Sequence, residues 1–170
     1  MDMSKLLRIL KHRWFDNGDA RRALDDAALA RLQSLVRASE ARHSGEIRVC
    51  VEGGLPLSYL RRQLTARDRA VTLFGKLRVW DTAHNNGVLI YLLLAERAIE
   101  IIADRGLSSR VPAAQWTRLT DDMSRHFQQG QFEQGLAMAI AQVDELLAQH
   151  FALLPGEVNP NELPDGVDLR

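Results

Sequence analysis

The chain has 170 residues, 46% of them hydrophobic and 26% charged, with 22 Lys plus Arg balanced by 22 Asp plus Glu. That length makes one ordinary domain with short appendages, large enough to bury a core without a disulfide or structural metal. Zero net charge argues against nucleic acid as the main partner, because phosphate binding needs a basic excess; the lone Cys50 excludes an internal disulfide.

The first segment, residues 1–18, reads as a short basic amphipathic helix. Leu6, Leu7, Leu10 and Trp14 fall at helical spacing, with Lys5, Arg8, Lys11 and Arg13 between them. Two readings stand for residues 4–15. The helix lies on an anionic membrane surface or a protein partner, or it docks on its own domain with its basic residues solvated. The segment lacks an apolar signal core and a small-residue cleavage site. The longest apolar run, Val88 to Ala95, is too short to span a bilayer. Both observations point to a cytoplasmic chain, at most peripheral to the inner face of the membrane.

Asn17-Gly18-Asp19 breaks the first helix. Asp25 or Asp26 then caps a second one running to about Arg42, with Leu29, Leu32 and Val36 inward. A strand from Glu46 to Val51 contains Cys50, read as a small buried hydrophobe. Gly53-Gly54 closes this strand as a tight turn. A single helix follows from Pro56 and Ser58, with Leu60, Leu64, Val71 and Phe74 as its apolar stripe. The apolar strand 87–94, a turn at Glu96-Arg97 and a strand ending at Ala103 come next. Pro112 opens a helix to about His126, and the last helix spans about Phe132 to His150. Residues 155–170, rich in Pro, Asn, Asp and Glu, read as an extended or disordered acidic tail.

This order predicts a three-layer α/β/α sandwich over residues 24–150. Its small mixed sheet has the first two strands parallel and the third antiparallel, with helices on both faces. One polar rim then gathers His43, Ser44 and Glu46 from the first strand, Asp81, His84, Asn85 and Asn86 from the second, and Asp104 and Arg105 from the third. Asp81, Asn85, Asn86 and Asp104 are hard oxygen donors suited to Ca²⁺ or Mg²⁺. Arg105 suits a phosphate or carboxylate, and His43 or His84 a proton shuttle. The same residues also read as plain turn chemistry with no ligand. No zinc-spaced Cys or His pair, Walker loop or nucleophile elbow is present, and no cofactor is needed for folding.

Five stretches carry a family resemblance: Ser44-Gly45-Glu46-Ile47-Arg48-Val49, Ala70 to Phe74, Asn85-Asn86-Gly87-Val88-Leu89-Ile90, Ile99 through Leu107, and Phe127 through Gly135. In this order and spacing the chain resembles the TPM domain of bacterial envelope proteins and of a chloroplast thylakoid protein tied to photosystem II repair. The resemblance implies an α/β/α sandwich. It also implies either an accessory module for a membrane-associated complex or an acid phosphatase, some members binding calcium near these loops. In this chain's own residues a phosphate-monoester hydrolase would hold a divalent ion through Asp81 and Asp104, with Asp104 and Arg105 as the catalytic candidates and Arg105 stabilising developing charge. Many members carry acidic residues where this chain has Asn85-Asn86, which takes charge away from a cation site.

Overall fold

The strand that follows Asn85-Asn86 has no charged residue on either face, so it is stable only where apolar partners cover it twice. In the computed structural model, which describes residues 3–15 and 17–170, it is an interior strand of a four-stranded sheet. β1 (Glu46–Glu52) and β2 (Gly87–Leu93) are parallel, from Glu46 opposite Gly87 to Glu52 opposite Leu93. β3 (Ala98–Ala103) returns antiparallel to β2 after a tight turn at Leu94–Glu96. β4 (Asp168–Leu169) comes from the tail and pairs parallel with β1, so the order is β3-β2-β1-β4.

The helices are α1 (Met3–Arg13), α2 (Asn17–Ala23), α3 (Asp26–Glu40), α4 (Leu57–Arg61), α5 (Ala66–Lys76), α6 (Arg105–Ser108), α7 (Ala113–Gln128) and α8 (Phe132–Phe151). Alternate side chains of the strands separate two apolar clusters. On one face Leu32 and Val36 of α3, Met123 and Phe127 of α7 and Leu136, Val143 and Leu147 of α8 pack with Ile47, Val49, Val88, Ile90 and Leu92. On the other, Leu60 of α4 and Ala70 and Leu73 of α5 pack with Cys50, Leu89, Tyr91 and Leu93. The three-layer sandwich expected from the sequence is therefore present, with its parallel and antiparallel pairings. Cys50 is fully buried, and burial pushes its thiol up to about 12.

Four features depart from the sequence reading. The fourth strand was not expected; two residues carry no periodicity, and only the edge of β1 defines them. The single helix after Gly54 is two, α4 and α5. Gln63 takes a left-handed φ of 56°, and Thr65 with Asp68 forms a capping box that starts α5 afresh. Val71, placed on the apolar stripe, is exposed; the inward face is Ala66, Arg69, Ala70 and Leu73. Asn17-Gly18-Asp19, taken as a break, also opens α2.

Arg69 tolerates burial because it is fully paired. Its guanidinium makes two bonds to the Glu52 carboxylate, 2.9 Å from Nε and 2.6 Å from Nη2, and Tyr91 donates to the same carboxylate at 2.7 Å. Arg69 also stacks over the Tyr59 ring at 5.2 Å. This network ties α5 to the carboxyl end of β1 and to β2. Truncating one partner strands a buried charge. Arg69→Leu is therefore expected to lose about 3–5 kcal/mol of stability, and Tyr91→Phe, which keeps the double bond, about 1.5–3 kcal/mol. Urea denaturation of the two variants measures both.

Candidate functional site

The register of the sheet brings three loops together at the amino end of β1 and β2. Glu46 sits opposite Gly87. The Asp104 N–H donates to the Gly87 carbonyl at 2.9 Å, and the Gly106 N–H donates to the Asn85 carbonyl at 2.8 Å. The Asn86 side-chain amide donates to Ser44 Oγ at 3.2 Å. A Cβ at Gly106 would lie 2.5 Å from the Asn85 carbonyl and 2.6 Å from that of His84, so only glycine lets the loops approach this closely. Asn85 itself takes φ 50°, a left-handed turn position that asparagine tolerates.

The residues singled out in the sequence divide by what their side chains touch. His43 is fully buried; its ring bonds Ser39 Oγ at 2.8 Å and the Gly45 carbonyl at 3.0 Å, and burial lowers its pKa. It braces the turn after α3 rather than facing solvent. His84 is exposed and, with Ser44, lines a depression of about 250 Å³ against the tail. Asp104 caps α6 through its Oδ1, 2.6 Å from the Arg105 N–H, while Arg105 is exposed. Asp81 lies on the exposed turn before the rim, its Oδ2 4.0 Å from Arg78 Nη1. Besides Glu46 Oε1, two oxygens on the second and third loops, Asn86 Oδ1 and Asp104 Oδ2, are buried without a hydrogen-bond partner among the described residues. Buried unpaired acceptors of this kind suit a hard cation or a water, and in this respect the donor set fits Ca²⁺ in part. Only one of the two carries charge. Among the described residues no group of three His, Cys, Asp or Glu side chains is arranged to hold an ion.

A second polar surface is α1. Met1, Asp2 and Asp16 of the segment 1–18 lie outside the described residues. One side of α1 docks on the domain. Arg8 donates to Glu96 Oε1 at 2.8 Å and to the Leu64 carbonyl at 2.9 Å. The Leu55 N–H donates to His12 Nδ1 at 3.0 Å, which leaves Nε2 as the donor to Glu96 at 2.9 Å. These bonds, the one from His12 first, hold the Glu96 carboxyl down at about 2. Gly54 makes the approach possible: a Cβ there would meet the His12 carbonyl at 2.4 Å. The opposite side bears Met3, Leu6, Leu7, Leu10 and, on the following turn, Trp14, which are 69%, 36%, 59%, 49% and 86% exposed. Lys11 and Arg13 are exposed beside them, and the helix has no acidic residue.

Sequence reasoning missed the surroundings of Glu46. This fully buried carboxylate accepts from the Leu163 N–H at 3.1 Å, and Glu40 accepts from the Ile47 N–H at 2.9 Å. Asp165 lies beside Glu40 and helps to raise it; Asp165 Oδ2 accepts from Arg37 Nε at 3.1 Å, while Oδ1 is buried without a partner among the described residues. Glu162 faces Glu46 and accepts from the Ala83 N–H at 2.9 Å. Only the path of the tail assembles the group, so no local motif announces it. Burial is the main reason that Glu46 is raised and that Glu40 rises from 4.5 to about 8. A carboxyl raised on folding stabilises most while protonated in both states. Its contribution therefore declines as pH climbs from about 4.5 and is lost through about 8. Glu40→Gln keeps the acceptor for Ile47 and removes the ionisation. Melting curves are expected to show the native chain losing stability across that window, by up to roughly 1.4 kcal/mol per pH unit, with the variant flatter and the more stable of the two at pH ~9.

The same architecture occurs in known structures. The chain is similar to the BA42 protein of the psychrophilic bacterium Bizionia argentinensis, solved by NMR. That match has 28% identity and a TM-score of 0.74, over 85% of this chain and 94% of that one. It also shares its fold with the N-terminal domain of a protein from P. gingivalis, at 23% identity and a TM-score of 0.60, over 77% of this chain and 82% of that domain. No curated protein matches. The model of the TPM domain matches residues 18–146, which takes in all three rim loops, the whole of β1 to β3 and most of α8. The chain belongs to the TPM domain family.

Proposed function

We propose that this TPM domain is a binding module that rests on an anionic membrane surface through the outward face of α1. The observation that carries the reading is the division of labour on that helix. Arg8, Ile9 and His12 are spent on the domain, while Met3, Leu6, Leu7, Leu10 and Trp14 face away from it. At 100° per residue these five occupy one arc, with Lys11 and Arg13 on its two margins. Apolar residues flanked by cations form the pattern of a helix lying in the lipid headgroup region. Near an anionic leaflet each cation contributes about 1 kcal/mol. No helix among the described residues is long and apolar enough to cross a membrane.

Leu7→Glu with Leu10→Glu changes exposed positions only and leaves the docked side alone. The double variant is expected to fold normally and to lose at least roughly tenfold in co-sedimentation with phosphatidylserine-containing vesicles. The native chain is expected to release those vesicles at high salt and to ignore phosphatidylcholine alone. Equal binding by the native chain and the double variant would sink the reading.

The unpaired oxygens of Asn86 and Asp104 favour a second role at the rim, the weak binding of a divalent cation. With one carboxylate the affinity belongs at the millimolar end of Ca²⁺ sites. Ca²⁺ is expected to raise the melting temperature by mass action. Asp104→Asn keeps the α6 cap and should abolish the rise. A phosphatase reading would need this ion and Arg105 to act together on a phosphate ester.

A further inference from the structure

We propose that the outer edge of β3 receives an extended peptide from a partner protein, which adds to the sheet as a fifth strand. β3 is the last strand in the order β3-β2-β1-β4. The Asp104 N–H bonds the Gly87 carbonyl, which continues the β2–β3 ladder by one pair beyond Val88 opposite Ala103. Main-chain groups alternate in direction along a strand, so those of Ile102 and Glu100 also face β2. Those of Ile99, Ile101 and Ala103 face outward. Among the described residues these outward groups have no hydrogen-bond partner. Yet Ile99 and Ile101 are only 6% and 8% exposed. Unpaired main-chain groups at such buried positions are costly, and a strand laid along the edge would satisfy them in register.

The edge lies in a groove of about 420 Å³, walled by Trp116 and Thr117 of α7 on one side and Arg67 of α5 on the other. The walls select the occupant. A single extended chain carries no flanking helices to meet these walls, whereas a second copy's β3 would bring its own α5 and α7 against them. The two sides differ in chemistry. Toward α7 the strand meets apolar Ile99, Ile101 and Trp116; toward α5 it meets the Arg67–Glu100 ion pair, 3.1 Å apart. The fitting peptide therefore alternates apolar residues toward α7 with polar ones toward Arg67. The molecule treats its other sheet edge in the same way, covering β1 with the extended residues of β4.

The probe is a capped octapeptide alternating valine with threonine, added to the full chain and followed by amide hydrogen exchange. At ten times its dissociation constant it is expected to slow exchange at Ile99, Ile101 and Ala103 roughly tenfold. The same peptide N-methylated at every residue should have no effect. Thr117→Arg, at an exposed position that intrudes on the groove, should block the slowing without shifting thermal unfolding. The proposal is overturned if the peptide slows none of the three amides. Equal slowing by the N-methylated peptide overturns it too, as does protection of the same amides by dimerisation without peptide. None of these outcomes depends on α1 or on vesicle binding.

Discussion

β2 has no face to give to water. All seven of its residues are buried, and it pairs on both sides, with β1 and with β3. A strand of this kind forces two apolar layers into existence, and α3, α7 and α8 answer on one face while α4 and α5 answer on the other. The two buried polar networks are consequences. Once α5 is pressed against the sheet, Arg69 loses solvent and must find Glu52 and Tyr91. Once α8 is packed against β2, the turn after α3 is held between them, and His43 is sealed in with Ser39 and Gly45.

The same constraint places the rim. Because β1 and β2 are parallel and β3 returns, the beginnings of two strands and the end of a third share one edge of the sandwich. Tight backbone approaches at Gly87 and Gly106 then lock the loops to one another. Most polar groups at this edge are engaged in joining those loops: Asp104 as a helix cap, Asn86 to Ser44, Glu46 to Leu163. Three unpaired oxygens, on Glu46, Asn86 and Asp104, are a small remainder from so many polar side chains. The surfaces with unused capacity lie elsewhere, on the outward side of α1 and along the edge of β3.

Much of the fold could be read locally. The unbroken apolar run of β2, the alternation around Cys50 and the helical spacing of Leu136, Ile140, Val143 and Leu147 each name their element without help. Errors fell where a pattern was too short or a residue broke its own rule. β4 has two residues and no period. The boundary between α4 and α5 is set by Thr65 and Asp68, a capping signal inside an otherwise continuous helical pattern. Val71, placed on the apolar stripe, turned outward, because the ion pair of Arg69 with Glu52 rather than hydrophobicity decided which side of α5 turned inward. The rim was legible in outline, since chain order alone sets which strand ends meet. The carboxyl cluster of Glu40, Glu46 and Asp165 was not, because the tail that completes it carries no local signal of where it goes.

The sequence by itself determined the family, the layered class, the pairing directions of three strands and the amphipathic nature of α1, since each follows from residue order and spacing. Tertiary structure decided what those features are for. It turned one side of α1 inward through Gly54 and left the other apolar side exposed. It spent His43 and most of the carboxylates of the rim on internal bonds, and it left β3 with an open edge between two helices. Exposure and hydrogen-bond partnership belong to the folded surface as a whole. A side chain's chemistry is written in the sequence, but its availability depends on which distant segment comes to lie against it.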